Sequence, residues 1–246
     1  MYNGAGELAQ SHKNDIMTAS KTHRLEPLRN KPAGQLLIHE IYRSVQGEST
    51  FAGLPCVFVR LAVCDSRCVW CDTPHAFTQG ALRTPAEILQ QVQSYHCPLV
   101  EVTGGEPLLQ EEVFGLMGEL ANRGLTVLLE TSGAHDVSRV DPRVHIIMDL
   151  KCPDSGECES NRWANLDVLK STAQIKFVLA SQRDFEWAKE TIRARDLERR
   201  FIVLLSPVFG TVAPLQLAEW LLASGLNVRM QLQLHKYIWD PQAQGV

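Results

Sequence analysis

Cys56-Val57-Phe58-Val59-Arg60-Leu61-Ala62-Val63 runs without a break into Cys64-Asp65-Ser66-Arg67-Cys68-Val69-Trp70-Cys71. The first half is β-branched and apolar at consecutive positions, the pattern of a strand buried on both faces of a parallel sheet. The second half places three cysteines, spaced C-x3-C-x2-C, at the carboxyl end of that strand. Three is the informative number. Structural zinc sites and ordinary iron–sulfur clusters take four protein ligands, whereas a cubane held by three leaves one iron open to an exogenous ligand. The spacing also differs from the ferredoxin run C-x2-C-x2-C-x3-C-P, which argues against a simple electron carrier. A zinc knuckle completed by His75 or Cys97 is the alternative reading of the same cysteines.

Outward from this strand, the sequence alternates. Leu36 to Tyr42 reads as an earlier strand leading into a Gly-containing turn. Thr84-Pro85-Ala86-Glu87 combines an N-cap, a proline at the first helical position and a capping-box Glu, which predicts a helix to about Ser94. Leu99 to Val102 is a strand, and Glu111 to Arg123 a helix closed by Gly124. Leu125 to Glu130 and Val144 to Leu150 are strands too close together for a full crossover helix. Further strands are expected at Ile175 to Leu179, Phe201 to Leu205 and Asn227 to Leu234, with helices at Arg183 to Arg195 and Pro214 to Ala223. The expected fold class is α/β: a partial, open TIM-like barrel of about six parallel strands with a reduced set of helices. Its chemistry then lies on the rim formed by the strands' carboxyl ends. There the sequence places the cysteine loop, Thr103-Gly104-Gly105-Glu106-Pro107, Thr131-Ser132-Gly133 and Lys151-Cys152-Pro153. Residues 1–34 show no sustained period and read as a disordered leader, with 35–246 as one domain.

Composition narrows the function classes. The 246 residues are 45% hydrophobic and 21% charged, with a formal net charge of -4. That balance suits one globular unit and gives no broad electropositive footprint, so nucleic acid is not an expected direct partner. No run approaches eighteen apolar residues, and no cleavable apolar leader is evident; a cytoplasmic protein with no membrane partner is expected. Seven cysteines, closely spaced in part, read as metal chemistry and not as a disulfide framework. Cys56, Cys97, Cys152 and Cys158 read as free thiols. His39, His75, His96, His135 and His145 read as isolated loop or core histidines.

The C-x3-C-x2-C loop followed by Gly104-Gly105-Glu106-Pro107 resembles the radical S-adenosylmethionine superfamily. This resemblance implies that Cys64, Cys68 and Cys71 ligate three irons of a 4Fe-4S cluster, while S-adenosylmethionine chelates the fourth. Reduction then generates a 5′-deoxyadenosyl radical from the cofactor. It makes Glu106 the candidate catalytic carboxylate, facing an ammonium group, although T-G-G-E-P on its own is more often only a strand-to-helix connector. Trp70 packs beside the cofactor adenine in this reading, or is plain core.

Four further segments sharpen the likeness. Ser44-Val45-Gln46-Gly47-Glu48, Phe58-Val59-Arg60-Leu61, Cys71-Asp72-Thr73 and Gln233-Leu234-His235-Lys236 together are similar to the 7-carboxy-7-deazaguanine synthase family of queuosine biosynthesis. That family converts 6-carboxy-5,6,7,8-tetrahydropterin with loss of ammonia, requires magnesium and reuses its S-adenosylmethionine. By motif, Val45, Gln46, Gly47 and Thr103 contact the pterin, and Arg60 pairs with its carboxylate. A guanidinium fork suits that anion, although a strand-end surface charge is the plainer reading of Arg60. Thr73 presents its hydroxyl to magnesium, although Thr73-Pro74 also serves as an ordinary turn. Trp70, Cys71, Asp72 and Gly105 lie on S-adenosylmethionine, with Asp149, Leu150, Lys151 and Ser206, Pro207, Val208 as further cofactor edges. At 149–151 the family often has S-P-K, so the departure here favours a backbone contact. A flavodoxin- or ferredoxin-like electron donor and a homodimer are implied by the resemblance. The runner-up functions are a radical activating enzyme for a glycyl partner and a zinc or iron–sulfur binding module without catalysis.

Overall fold

The structure, a computed structural model, describes residues 20–246. Its frame is a nine-stranded sheet in the order β3-β1-β2-β4-β5-β6-β7-β8-β9. The strands are β1 Leu36–Val45, β2 Pro55–Leu61, β3 Ala81–Arg83, β4 Leu99–Gly104, β5 Thr126–Thr131, β6 His145–Asp149, β7 Gln174–Leu179, β8 Ile202–Pro207 and β9 Arg229–Met230. Pairings from β2 through β9 are parallel. The two edges, β3 and β9, do not pair with each other, so the barrel is open as expected.

Among the described residues, four helices of ten or more residues pack against the sheet: α1 Pro85–Ser94, α2 Glu112–Asn122, α3 Gln182–Ala194 and α4 Pro214–Ser224. Their ends follow local chemistry. At α1 the Thr84 hydroxyl accepts from the Glu87 amide while the Glu87 carboxylate accepts from the Thr84 amide at 2.7 Å, the reciprocal capping box. Gly225 closes α4 at φ +70°, a left-handed conformation that glycine adopts without strain. No helix bridges β5 and β6, in line with the short spacing.

Two expectations are corrected at the edges. β1 runs antiparallel to β2, because residues 46–54 are too few for a crossover and can only turn the chain back. The strand expected at Asn227 to Leu234 shrinks to Arg229–Met230, and β3, three exposed residues, joins the opposite edge. Of the leader expected at 1–34, residues 1–19 lie outside the described residues. Residues 20–34 form two single-turn helices, Lys21–Arg24 and Glu26–Arg29. Leu25 and Leu28 pack against Leu37, Ala62 and Val63, and Lys31 pairs with Glu112 at 2.6 Å.

Strand register divides the sheet into two chemically different faces. Partners such as Val59 with Val102 and Val102 with Leu129 point toward the helices, and with Val57, Leu61, Val127, Met148, Ile175, Phe177, Val203 and Leu205 they are buried and apolar. Alternate residues project the other way. On that face Arg60 pairs with Thr103, Asp149 with Lys176, and Val178 with Ser206, while Glu101 and Glu130 share its parity. Lys176 on β7 reaches Glu130 on β5 and Glu48 in the loop after β1, so the sheet curls around this polar face.

Candidate active site

The cysteine loop begins at a backbone kink. Val63 has φ +77°, a conformation that costs a β-branched residue on the order of 1–3 kcal/mol and needs support from its surroundings. The Val63 amide donates to Ala76 O at 2.7 Å, and the Val63 carbonyl accepts from the Glu106 amide at 2.9 Å. Gly105 lies so near that carbonyl that a Cβ would overlap its oxygen. Glycine at 105 is therefore demanded by this chain's own backbone. Arg67 then organises the loop: its amide donates to Glu157 Oε1 at 2.6 Å, and its guanidinium to the carbonyls of Cys64 (2.6 Å) and Ser66 (2.7 Å) while lying 4.0 Å from the centre of the Phe77 ring. Val69 N donates to Ser155 O at 3.0 Å.

None of the seven cysteines is in a disulfide. Cys64 is buried, and Cys68 and Cys71 are half-buried. Burial foremost, then Glu106, pushes the Cys64 thiol up; burial, then Asp72, pushes Cys71 up to about 11; burial also raises Cys68. Three soft, desolvated donors on one loop are suited to a metal cluster whose irons would compensate the thiolate charge.

Glu106 is tied into its own turn. It is fully buried, and its carboxylate accepts from the amides of Leu108 (3.0 Å) and Ser132 (2.8 Å) and from the hydroxyls of Thr131 (2.9 Å) and Ser132 (2.6 Å). These donors tie the Gly104–Pro107 turn to the end of β5 through the Glu106 carboxylate.

The polar face gathers most of the other expected residues. Gln46, 3% exposed, donates its amide to Glu101, and its side-chain oxygen accepts from Glu48 N at 2.9 Å. Val45 ends β1. Gly47 O accepts from Leu234 N at 3.0 Å, and a Cβ at Gly47 would collide with the His235 ring. Arg60 donates Nε to Glu40 (2.9 Å), one terminal nitrogen to Tyr42 Oη (3.1 Å) and the other to Gly104 O (3.3 Å). Thr103 Oγ1 donates to Glu130 at 3.3 Å. Thr73 Oγ1 donates to Asp72 Oδ1 at 2.9 Å, and Lys236 Nζ, 2.9 Å from Asp72 Oδ2, holds the Asp72 carboxyl below the usual range against the opposing effect of burial.

At the far rim Lys151 pairs with Asp149 at 2.7 Å, and the amides of Leu150 and Lys151 are held by Lys176 O (2.9 Å) and Asn161 Oδ1 (2.9 Å). Those amides are therefore committed within the chain. Ser206 is 1% exposed and its hydroxyl has no hydrogen-bond partner among the described residues. Pro207 still pairs in β8, and Val208 N donates to Leu179 O at 2.9 Å. Trp70 is half-buried beside Cys71.

Sequence reading missed the centre of this face. Lys176, 3% exposed, bonds to Glu48 (2.7 Å) and Glu130 and lies 3.6 Å from Asp149. Gln233 donates to Glu48 at 2.8 Å. Glu101, 4% exposed, sits beside this group. Burial foremost, then Glu130, lifts the Glu101 carboxyl well above its ordinary range, favouring its protonated form. The signal available was a polar residue at period two inside each apolar run: Glu101, Glu130, Asp149 and Lys176.

A pH experiment follows from the upward shift of Glu101. A carboxyl whose folded pKa lies above its unfolded value makes the folded state hold the extra proton, so stability declines as pH rises from the unfolded value toward the folded one. Glu101→Gln fixes the neutral form. Its melting temperature is expected to gain on the wild type steadily from pH 5 to pH 8; parallel profiles would rule out a retained proton.

The sequence pattern of the radical SAM (S-adenosylmethionine) superfamily matches residues 59–209, from within β2 to just past β8. The chain belongs to that superfamily. The 7-carboxy-7-deazaguanine synthase of Chlorobaculum tepidum is 50% identical over 214 residues, covering 86% of this chain and 97% of that protein. The enzyme of the same name from Koribacter versatilis is 46% identical over 225 residues, covering 85% and 99%. The crystal structure of QueE from Escherichia coli matches with a TM-score of 0.67 at 25% identity, covering 85% of this chain and 98% of that one. At these identities and coverages the chain is a member of the 7-carboxy-7-deazaguanine synthase family. Radical SAM membership implies a 4Fe-4S cluster and S-adenosylmethionine, and the residues present fit both. The cysteine donor set suits the cluster, and the unpartnered Ser206 hydroxyl at a strand end suits a polar ligand. No helix among the described residues is long and apolar enough to cross a membrane.

Proposed function

We infer that this chain converts 6-carboxy-5,6,7,8-tetrahydropterin to 7-carboxy-7-deazaguanine, a magnesium-dependent carbon–nitrogen lyase reaction in queuosine biosynthesis. Substrate and product differ by the elements of one ammonia, so the rearrangement is redox-neutral and a hydrogen taken from the substrate can be returned. That balance is consistent with reuse of S-adenosylmethionine. The cluster and S-adenosylmethionine, held by Cys64, Cys68, Cys71 and the neighbouring rim, supply hydrogen-atom abstraction.

The observation that carries the reading is the unused half of the Arg60 fork. A guanidinium has five N–H donors; Glu40, Tyr42 and Gly104 take three, leaving one on each terminal nitrogen. Those two match a carboxylate bidentately. On the same polar face, the carboxylates of Glu48 and Glu130 and the amide of Gln46 offer acceptors and a donor to the N–H and carbonyl edge of a pterin. Magnesium would be held at Thr73 with Asp72, a hard cation taking oxygen donors. A flavodoxin- or ferredoxin-like donor belongs to the same proposal, supported by Val69, 71% exposed between Cys68 and Trp70. So does a homodimer, supported by the exposed Leu215 and Leu222 on α4. We also take residues 35–246 as one catalytic unit, which the continuous sheet supports.

Anaerobic incubation of the reconstituted, reduced enzyme with the tetrahydropterin and magnesium is the test. The deazaguanine acid and ammonia are expected in equal amounts, and absence of product from an enzyme that still cleaves S-adenosylmethionine overturns the proposal. Arg60→Met removes a charged hydrogen-bonding pair of about 1.5–3 kcal/mol, so KM for the pterin should rise roughly ten- to hundredfold in initial-rate measurements. An unchanged KM would place the carboxylate elsewhere.

A further inference from the structure

His39, Glu40 and His75, treated by sequence as unrelated, are brought together by the fold. A ring nitrogen of each histidine and a carboxylate oxygen of Glu40 all lie within 4.8 Å of one another. We propose that this triad binds one divalent transition-metal ion of the zinc type, distinct from the cluster and from the magnesium of the reaction.

The convergence has a backbone cause. Neighbouring residues on a strand normally project to opposite faces, but the pairing of β1 with β2 slips between Ile38 and Glu40. Such an irregularity re-aims a side chain, and here it lets His39 and Glu40 face the same partner. His75 comes from the single turn Pro74–Phe77 that follows the cysteine loop. The two imidazole centres are 4.9 Å apart and tilted by 44°.

Each side chain keeps a ligand atom available. His39 Nδ1 lies 2.8 Å from Gln79 O. A proton donated there fixes the tautomer that leaves Nε2 with its lone pair, the usual support of a metal-bound histidine by a carbonyl behind it. Glu40 gives Oε1 to Arg60, leaving Oε2 for the ion, and that pairing offsets the nearest cation. Donors sharing one tetrahedral zinc at about 2.0–2.2 Å are roughly 3.3–3.6 Å apart, so side-chain shifts of about an ångström close the site. Two imidazoles with a carboxylate select zinc-like ions over magnesium. All three residues are half-buried, partly desolvated yet reachable by an ion from solvent. Three protein ligands leave a fourth position for water.

The test uses the full chain with its cluster reconstituted, cleared of loosely held divalent ions and titrated with Zn2+ alone. Zinc, iron and sulfide are counted by elemental analysis, and zinc is located by anomalous diffraction. One zinc per chain is expected, with affinity falling at least tenfold in His39→Ala and in His75→Ala and holding in His96→Ala, whose histidine lies in the turn after α1. Iron and sulfide should stay constant throughout. No bound zinc, equal affinity in both triad variants, or an anomalous peak away from the triad overturns the proposal. Should His75→Ala lose iron, His39→Ala and the anomalous map of the unaltered protein decide the question. None of these readouts depends on the substrate.

Discussion

Cys68→Ala is expected to yield a folded protein that assembles no open-iron cluster. Iron and sulfide should fall from about four each per chain, S-adenosylmethionine cleavage on reduction should vanish, and turnover should drop below detection. The fold has little reason to suffer: the Cys68 side chain is small and only half-buried. Melting in the cluster-free state should therefore stay close to the cluster-free wild type. Cys158→Ala, also half-buried but outside the loop, should keep iron, sulfide and cleavage. A Cys68→Ala protein that retained four irons and cleaved S-adenosylmethionine would show that the ligands had been misassigned.

Lys176→Met is expected to act through both stability and function. Removing the ammonium leaves Glu48 and Glu130 without the cation that joins them, while Asp149 keeps Lys151. Breaking a buried charge group in this way costs about 3–5 kcal/mol, which for a chain of this size corresponds to a melting-temperature loss of roughly 6–20 °C. The loss should depend on pH. In the wild type Lys176 holds Glu48 below its usual range against burial; without it the carboxyls take up protons, the folded state binds more protons than the unfolded, and stability falls as pH rises. Denaturation at pH 5 and pH 8 should thus show the larger deficit at pH 8, and adding Glu130→Gln should restore part of it. Equal deficits at the two pH values would mean that Lys176 contributes packing and not charge balance.

Much of this architecture was readable because individual runs carry strong local signals. The Cys56–Val63 run, the Thr84-Pro85-Glu87 cap and the helix ends at Gly124 and Gly225 each declare themselves within a few residues. The cysteine loop and Gly104–Pro107 were likewise legible, since spacing alone defines them. What was hidden depends on partners far apart in the chain. Lys176 meets Glu48 and Glu130 across 128 and 46 positions, and a single polar residue in an apolar strand reads locally as a weakness and not as a centre. β3 and β9, three and two residues long, are too short for any period to register. His39 and His75 stayed isolated because a slip in strand pairing, invisible in composition, is what aligns them. Glu106 was found by motif, but only its buried donors reveal that it fastens the turn.

The two-faced sheet has a practical meaning for redesign. Along each central strand, residues of one parity pack against the helices and residues of the other line the polar face, so the first set answers to apolar packing and the second to charge balance around Lys176. A library confined to positions 60, 103 and 206, which leaves the Lys176 charge group intact, would sample new substrates while leaving the helix-packed layer untouched. Shifting that library by a single residue would instead sample folding failures.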